Sequence, residues 1–119
     1  MPLAKDTEKP LYLAIHKLII YMYSLVHNFP KEYKYTLGKD ILDMSWKTLD
    51  FVILTNTIEN KEKYKYIEKT IALFNSLKYR IRIGYELKII SSKQYSFILK
   101  QAVQINKMLK GWYTWSKRI

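Results

Sequence analysis

The chain contains no cysteine. That removes disulfide frameworks, thiolate nucleophiles and cysteine-type zinc sites together, and it fits a reducing compartment. Residues that punctuate β structure are also scarce. There are three glycines and three prolines in 119 residues, two of the prolines before residue 11. No alternating run bounded by Asn-Gly or Asp-Gly turns is present, so no strand competes for assignment. Long apolar runs are missing as well. The longest, "LYLAIHKLIIYMYSLV" at 11–26, is interrupted by His16 and Lys17, which makes it too short and too polar to cross a bilayer. The opening "MPLAKDTEKP" lacks the basic region and apolar stretch of a secretory signal. A soluble, cytoplasmic protein with one domain over residues 1–119 is the expectation.

Several chemistries find no support in the residues. There is no glycine-rich phosphate loop and no nucleophile elbow. His16 and His27 lie eleven apart with no carboxylate cluster beside them to complete a metal site. Asp40, Asp43 and Asp50 stand among lysines, which reads as surface ion pairing and not as an acid/base pair with separated pKa values. The expectation is a protein without catalytic activity, cofactor or metal.

Acidic charge is short in one half only. Residues 1–60 hold seven Lys/Arg and seven Asp/Glu, whereas residues 61–119 hold fourteen basic residues against Glu62, Glu68 and Glu86. The whole net charge of +11 therefore sits in the second half. Such asymmetry points to a polyanionic partner: nucleic acid, an anionic protein face or an anionic membrane surface.

What the sequence does have is helical periodicity. Leu11, Ile15, Leu18, Met22, Leu25 and Phe29 step by four and three, one face of a helix held for more than four turns. Pro10 suits a first turn, with Thr7 or Asp6 to help start it, and Pro30 ends it. A second stripe follows at Leu37, Ile41, Met44, Thr48, Phe51 and Thr55, widened by Leu42, Leu49 and Val52. Lys39–Asp43 and Asp43–Lys47 are expected as i,i+4 pairs on its outer side. Thr36 or its neighbours begin that helix, with Gly38 in its first turn, and Asn60 is placed to cap the next one. The third stripe runs Ile67, Ile71, Phe74, Leu77, Ile81, Gly84 and Leu87. Gly84, unfavourable within a helix, marks either close packing or a frayed end. The fourth runs Tyr95, Ile98, Ala102, Ile105, Leu109 and Trp112, behind a Ser91-x-x-Gln94 capping box. Helices over about 10–28, 36–56, 61–88 and 92–116, joined by short connections, predict an all-α, antiparallel up-down-up-down four-helix bundle. At about 1.5 Å per residue, helices of this size predict a rod roughly 30 Å long.

The basic residues form patterns on the last two helices. Lys78 and Arg82, at i,i+4, leave one side of the third helix together, while Arg80 points elsewhere; all three are candidate cations for a nucleic-acid or protein partner. Like charges at that spacing repel, so either a bound phosphate or carboxylate compensates, or Arg82 pairs with Glu86. Lys93, Lys100 and Lys107 recur every seven residues on the fourth helix, and Lys110, Lys117 and Arg118 extend the row. A row of cations suits a phosphate backbone, although a bundle's outer face is lysine-rich in any case. Among eleven tyrosines, Tyr33, Tyr35, Tyr64 and Tyr66 stand beside lysines at helix entries and are candidates for stacking on unpaired bases. Trp112 and Trp115 share a side, but Trp46 falls off its helix's main stripe. Leftover aromatic surface of that kind favours self-association or a protein partner.

The run "FPKEYKYTLGKDI", followed by "LDF", "TNTIEN", "LKYRIRI", "SSKQY" and "INKMLKGWYTW", resembles the accessory variability determinant (Avd) proteins of diversity-generating retroelements. The likeness spans residues 29 to 115 in order. Four-helix proteins encoded in ribosomal RNA intervening sequences share the "FPKE" turn but lack the Thr-Leu-Gly and Gly-Trp features. They are the alternative, an interaction protein with no retroelement partner. The Avd resemblance implies a four-helix bundle assembled as a homo-pentameric barrel, without catalysis of its own. It also implies binding to the retroelement's reverse transcriptase and to template-repeat RNA with its adjoining spacer, in support of error-prone cDNA synthesis. The basic third-helix positions important for partner binding in that family fall here on Lys78 and Arg82. Lysine replaces the usual arginine at 78, which keeps the charge but loses the bidentate fork.

Overall fold

The computed structural model describes residues 2–119, with side chains from residue 10 onward. Four long helices account for most of it: α1 (Pro2–His27), α2 (Leu37–Asn56), α3 (Lys63–Glu86) and α4 (Ser92–Arg118). A single helical turn, Lys31–Lys34, links α1 to α2, and a 3-10 turn, Asn60–Glu62, leads into α3. No strand occurs among the described residues. Each helix packs on the next and α1 packs on α4, so the four enclose one core as a four-helix bundle. Among the described residues, no helix is long and apolar enough to cross a membrane.

The expected stripes lie inside. Leu11, Ile15, Leu18, Met22, Leu25 and Phe29 are buried, and so are Ile19 and Val26, because α1 faces neighbours on two sides. The helix starts at Pro2, so Pro10 is interior and not in the first turn. The long apolar face from Leu11 onward outweighs the single backbone hydrogen bond that a proline removes. Thr7 and Asp6 lie outside the described side chains. With α1 and α4 at 26 and 27 residues, the long dimension is 47 Å, more than the predicted rod.

On α2 the inward line is shifted toward smaller residues. Gly38, Ile41, Ser45, Thr48, Val52 and Thr55 are buried, while Met44, Leu42 and Leu49 pack at the flanks and Phe51 is half-buried. The hydroxyls of Ser45, Thr48 and Thr55 donate to the carbonyls of Ile41, Met44 and Phe51 at 2.7, 2.9 and 2.6 Å. Satisfied in this way, a hydroxyl can be buried without the penalty of an unpaired polar group, and small side chains let the neighbouring helices approach. Lys39 pairs with Asp43 at 2.8 Å. The expected Asp43–Lys47 pair does not form among the described residues; Asp43 turns toward Lys39 instead.

The helix ends differ from their sequence signals in instructive ways. Thr36 does precede α2, yet its hydroxyl looks back to the carbonyls of Glu32 and Tyr33 and caps nothing ahead. Asn60 does not cap α3 with its side chain either. That role falls to Ser116 on α4, whose hydroxyl accepts from the Tyr64 amide at 2.9 Å and donates to the Asn60 carbonyl at 2.6 Å. Beside it, the buried Lys63 ammonium donates to the Thr55 carbonyl at 2.9 Å, which also accepts from the Ile58 amide at the end of α2. The Ser91/Gln94 capping box forms with both of its hydrogen bonds.

The third helix stops at Glu86, and Leu87, the last member of its expected stripe, is exposed. The Ile89 amide bonds the Gly84 carbonyl and the Lys88 amide bonds the Tyr85 carbonyl, both at 3.0 Å. This is a Schellman ending, with Lys88 at φ 64° in the position glycine usually takes. Ile90 folds back over Gly84, where an added Cβ would come within 2.7 Å of its Cδ1. Gly84 therefore serves close packing.

Candidate functional site

Because Ile67, Phe74, Leu77, Ile81 and Gly84 turn α3 into the core, Asn75, Lys78, Tyr79 and Arg82 are left along its seam with α4. There they meet Tyr95 and Leu99, and the six residues line an open groove of about 350 Å³.

The two cations of the groove are held differently. Lys78 is half-buried, with its ammonium 5.9 Å from the centre of the Phe74 ring. Its stem covers apolar surface while the charge stays accessible, as long basic side chains commonly do. Lys78 has no ion pair among the described residues. Arg82 donates from Nε to Glu86 Oε2 at 2.9 Å, and that hydrogen bond, with the carboxylate's charge, raises the guanidinium's already high pKa. The pairing that competes with ligand binding in the sequence is thus formed. It is exposed to water on both sides, and exposed pairs of this kind are readily exchanged for another anion.

Arg80 is not part of this groove. It donates to the Ser76 carbonyl at 3.2 Å and to the Ser76 hydroxyl at 2.6 Å on its own helix. Lys93, Lys100, Lys107, Lys110, Lys117 and Arg118 are exposed on α4, and none lines the groove. Lys117 is held over two rings, 5.1 Å from the centre of Tyr64 and 5.9 Å from that of Tyr113. The acidic residues of this half are all engaged. Glu62 pairs with Lys65, Glu86 with Arg82, and Glu68 accepts from the Tyr113 hydroxyl at 3.4 Å. Lys78, Lys93, Lys100, Lys107, Lys110 and Arg118 therefore have no carboxylate partner among the described residues. Their field is directed outward and remains available to an anion.

The aromatic residues separate by location. Tyr33 packs against the core, and Tyr64 and Tyr66 lie under lysines. Tyr35 is exposed on the other side of the bundle, in a groove with Tyr23 and Trp46, where the Trp46 indole donates to the Tyr23 hydroxyl at 3.0 Å. Trp112 is buried and Trp115 packs against the core, while Trp46 is off the inward face as expected. Sequence reasoning missed Tyr79, which is 64% exposed at the groove wall. Its signal is its place between Lys78 and Arg82 in "LKYRIRI". Tyr85 and Tyr95 stack on each other, centroids 4.4 Å apart and 12° from parallel. His16 and His27 are exposed, and among the described residues no three potential metal ligands come together.

A family model described as bAvd-like matches residues 11–116, a span that includes the whole α3–α4 groove. No curated protein and no solved structure matches the chain.

Proposed function

Because the chain belongs to the bAvd-like family, and is thus an Avd-type protein, we propose that it is a non-enzymatic accessory protein of a diversity-generating retroelement. It binds the element's reverse transcriptase and its template-repeat RNA with the adjoining spacer, and supports mutagenic cDNA synthesis in the cytoplasm. The α3–α4 groove is its anion-binding face. Lys78 and Arg82 supply the central charges, and the α4 row of Lys93, Lys100, Lys107, Lys110, Lys117 and Arg118 extends them. Arg80 is a further cation for these partners, outside the groove. Consecutive helices run up-down-up-down, and five copies assemble as a barrel.

The observation that carries this reading is the family match over a chain whose entire charge excess lies on the half that builds the groove. Binding dominated by phosphate contacts weakens steeply with salt, because each neutralised phosphate releases counterions. The test is RNA binding titrated against salt with the wild type, Lys78→Glu and Arg82→Glu. The wild type is expected to show a steep negative slope of log K against log salt. Each variant weakens binding and flattens the slope while melting like the wild type, since neither residue is in the core. A flat slope, or no binding, overturns the RNA part of the reading. The retroelement part predicts a reverse transcriptase gene and a repeat pair beside this gene, and their absence favours the ribosomal intervening-sequence type instead.

A further inference from the structure

The α3–α4 groove holds more than charge, and its other contents discriminate between polyanions. Tyr79 is 64% exposed and makes no ring contact among the described residues, whereas the nearby Tyr85 and Tyr95 satisfy each other by stacking. One helical turn before it, Asn75 lines the same groove, and its amide has no hydrogen-bond partner among the described residues. Leu99, 41% exposed, supplies apolar surface on the α4 side. An exposed ring, two cations and an amide without a partner among the described residues thus share one groove.

Resting on the RNA-binding reading above, we infer that this groove takes an unpaired nucleotide of single-stranded RNA. The base stacks on Tyr79 and the flanking phosphates lie on Lys78 and Arg82. Stacking on an aromatic side chain tolerates any base, since every base has a π-face. A carboxamide both donates and accepts, so Asn75 can meet the edge of whichever base stacks. The i,i+4 pair Lys78/Arg82, whose Cβ atoms are about 5–6 Å apart in a helix, matches the separation of neighbouring phosphates on one strand. A duplex uses the same cations but not the ring. Its bases are already stacked and paired, and A-form RNA offers side chains only its backbone and shallow groove. The cations therefore give affinity for both forms, and Tyr79 gives preference for the unpaired one. An acidic protein segment likewise uses the cations and leaves the ring without a stacking partner.

The experiment measures the affinity of the full chain for a short RNA without self-complementarity, and for the same strand annealed to its complement. Wild type, Tyr79→Phe and Tyr79→Ala are compared at one salt concentration. The single strand is expected to bind more tightly than the duplex. Tyr79→Ala should lose about 5- to 150-fold on the single strand, the equivalent of about 1–3 kcal/mol per stacked base. Its duplex affinity stays unchanged, and Tyr79→Phe keeps the preference. Equal binding of both RNAs by the wild type, with no effect of Tyr79→Ala, overturns the inference and leaves the RNA reading standing. Failure to bind either RNA overturns both. Equal losses on single strand and duplex, or a changed particle mass by light scattering for Tyr79→Ala, also overturn it, because the ring then supports the protein and not the base.

Discussion

Replacing Gly38 by alanine opposes two physical effects on one atom. Gly38 is the second residue of α2, and alanine is favoured over glycine inside helices by about 1 kcal/mol, less near an end. On propensity alone the change is stabilising. An added Cβ, however, would lie 2.6 Å from Val26 Cγ1, 3.4 Å from Phe29 Cδ2 and 3.4 Å from the Tyr33 carbonyl oxygen. Favourable carbon contacts are about 3.5–4.0 Å, so the overlap with Val26 is close to an ångström. Val26 cannot swing aside. It is buried, and a β-branched side chain on a helix has one strongly preferred rotamer. The end of α1 must then back away from α2, at an overpacking cost of about 1–3 kcal/mol. Overpacking exceeds propensity, and Gly38→Ala is expected to destabilise by about 1–2 kcal/mol. Gly111 is the control: it is exposed within α4 and an added Cβ meets nothing within 4 Å. Gly111→Ala should stabilise by about 0.4–1 kcal/mol. Urea unfolding at a fixed protein concentration reads both, since self-association would otherwise shift the midpoints. In a Val26→Ala background the penalty at Gly38 should largely disappear, a coupling that a double-mutant cycle measures directly. Gly38→Ala more stable than wild type, or a full penalty retained beside Val26→Ala, would refute the close approach of α1 and α2 at this point.

Lys88 occupies the left-handed position of the turn after α3, where a non-glycine residue costs about 1–2 kcal/mol. Lys88→Gly is expected to raise stability by about 1 kcal/mol, seen as a higher urea midpoint. Ser116→Ala removes both long-range hydrogen bonds of that hydroxyl and leaves the start of α3 uncapped. A loss of about 1–3 kcal/mol follows, whereas Thr36→Ala, whose hydroxyl caps nothing, should cost much less. Lys78→Arg restores the two-pronged donor and should tighten RNA binding while leaving the melting temperature unchanged. Light scattering of the wild type should report a pentamer, and a monomer or dimer would count against the barrel assembly.

The helices were legible because each carries a long stripe of large apolar residues at steps of three and four, a signal spread over many positions. Leu11 to Phe29 and Ile98 to Trp112 are of this kind. On α2 the same reading favoured Met44 and Phe51 over Ser45, because hydrophobicity registers size and misses a hydroxyl turned back onto its own helix. The capping box at Ser91 was readable because both partners lie within four residues. The cap on α3 was not, since Ser116 is fifty-two residues from the amide it receives. The α3–α4 groove shows the same division. Lys78 and Arg82 share a helix face by spacing alone, but their meeting with Leu99 and Tyr95 depends on how α4 lies against α3.

By itself, then, the sequence determined four amphipathic helices, the concentration of positive charge on the last two, and the family motifs. The helices follow from residue type and from separations within about one helical turn, and the charge and the motifs from residue order alone. The tertiary structure alone decided which glycines are required by contact, which hydroxyl caps α3, and which cations have an anion partner already. It also decided that Tyr79, out of eleven tyrosines, stands free beside Lys78 and Arg82. Each of these depends on the distance between two elements, and side-chain periodicity sets which face a residue is on without setting what that face will meet.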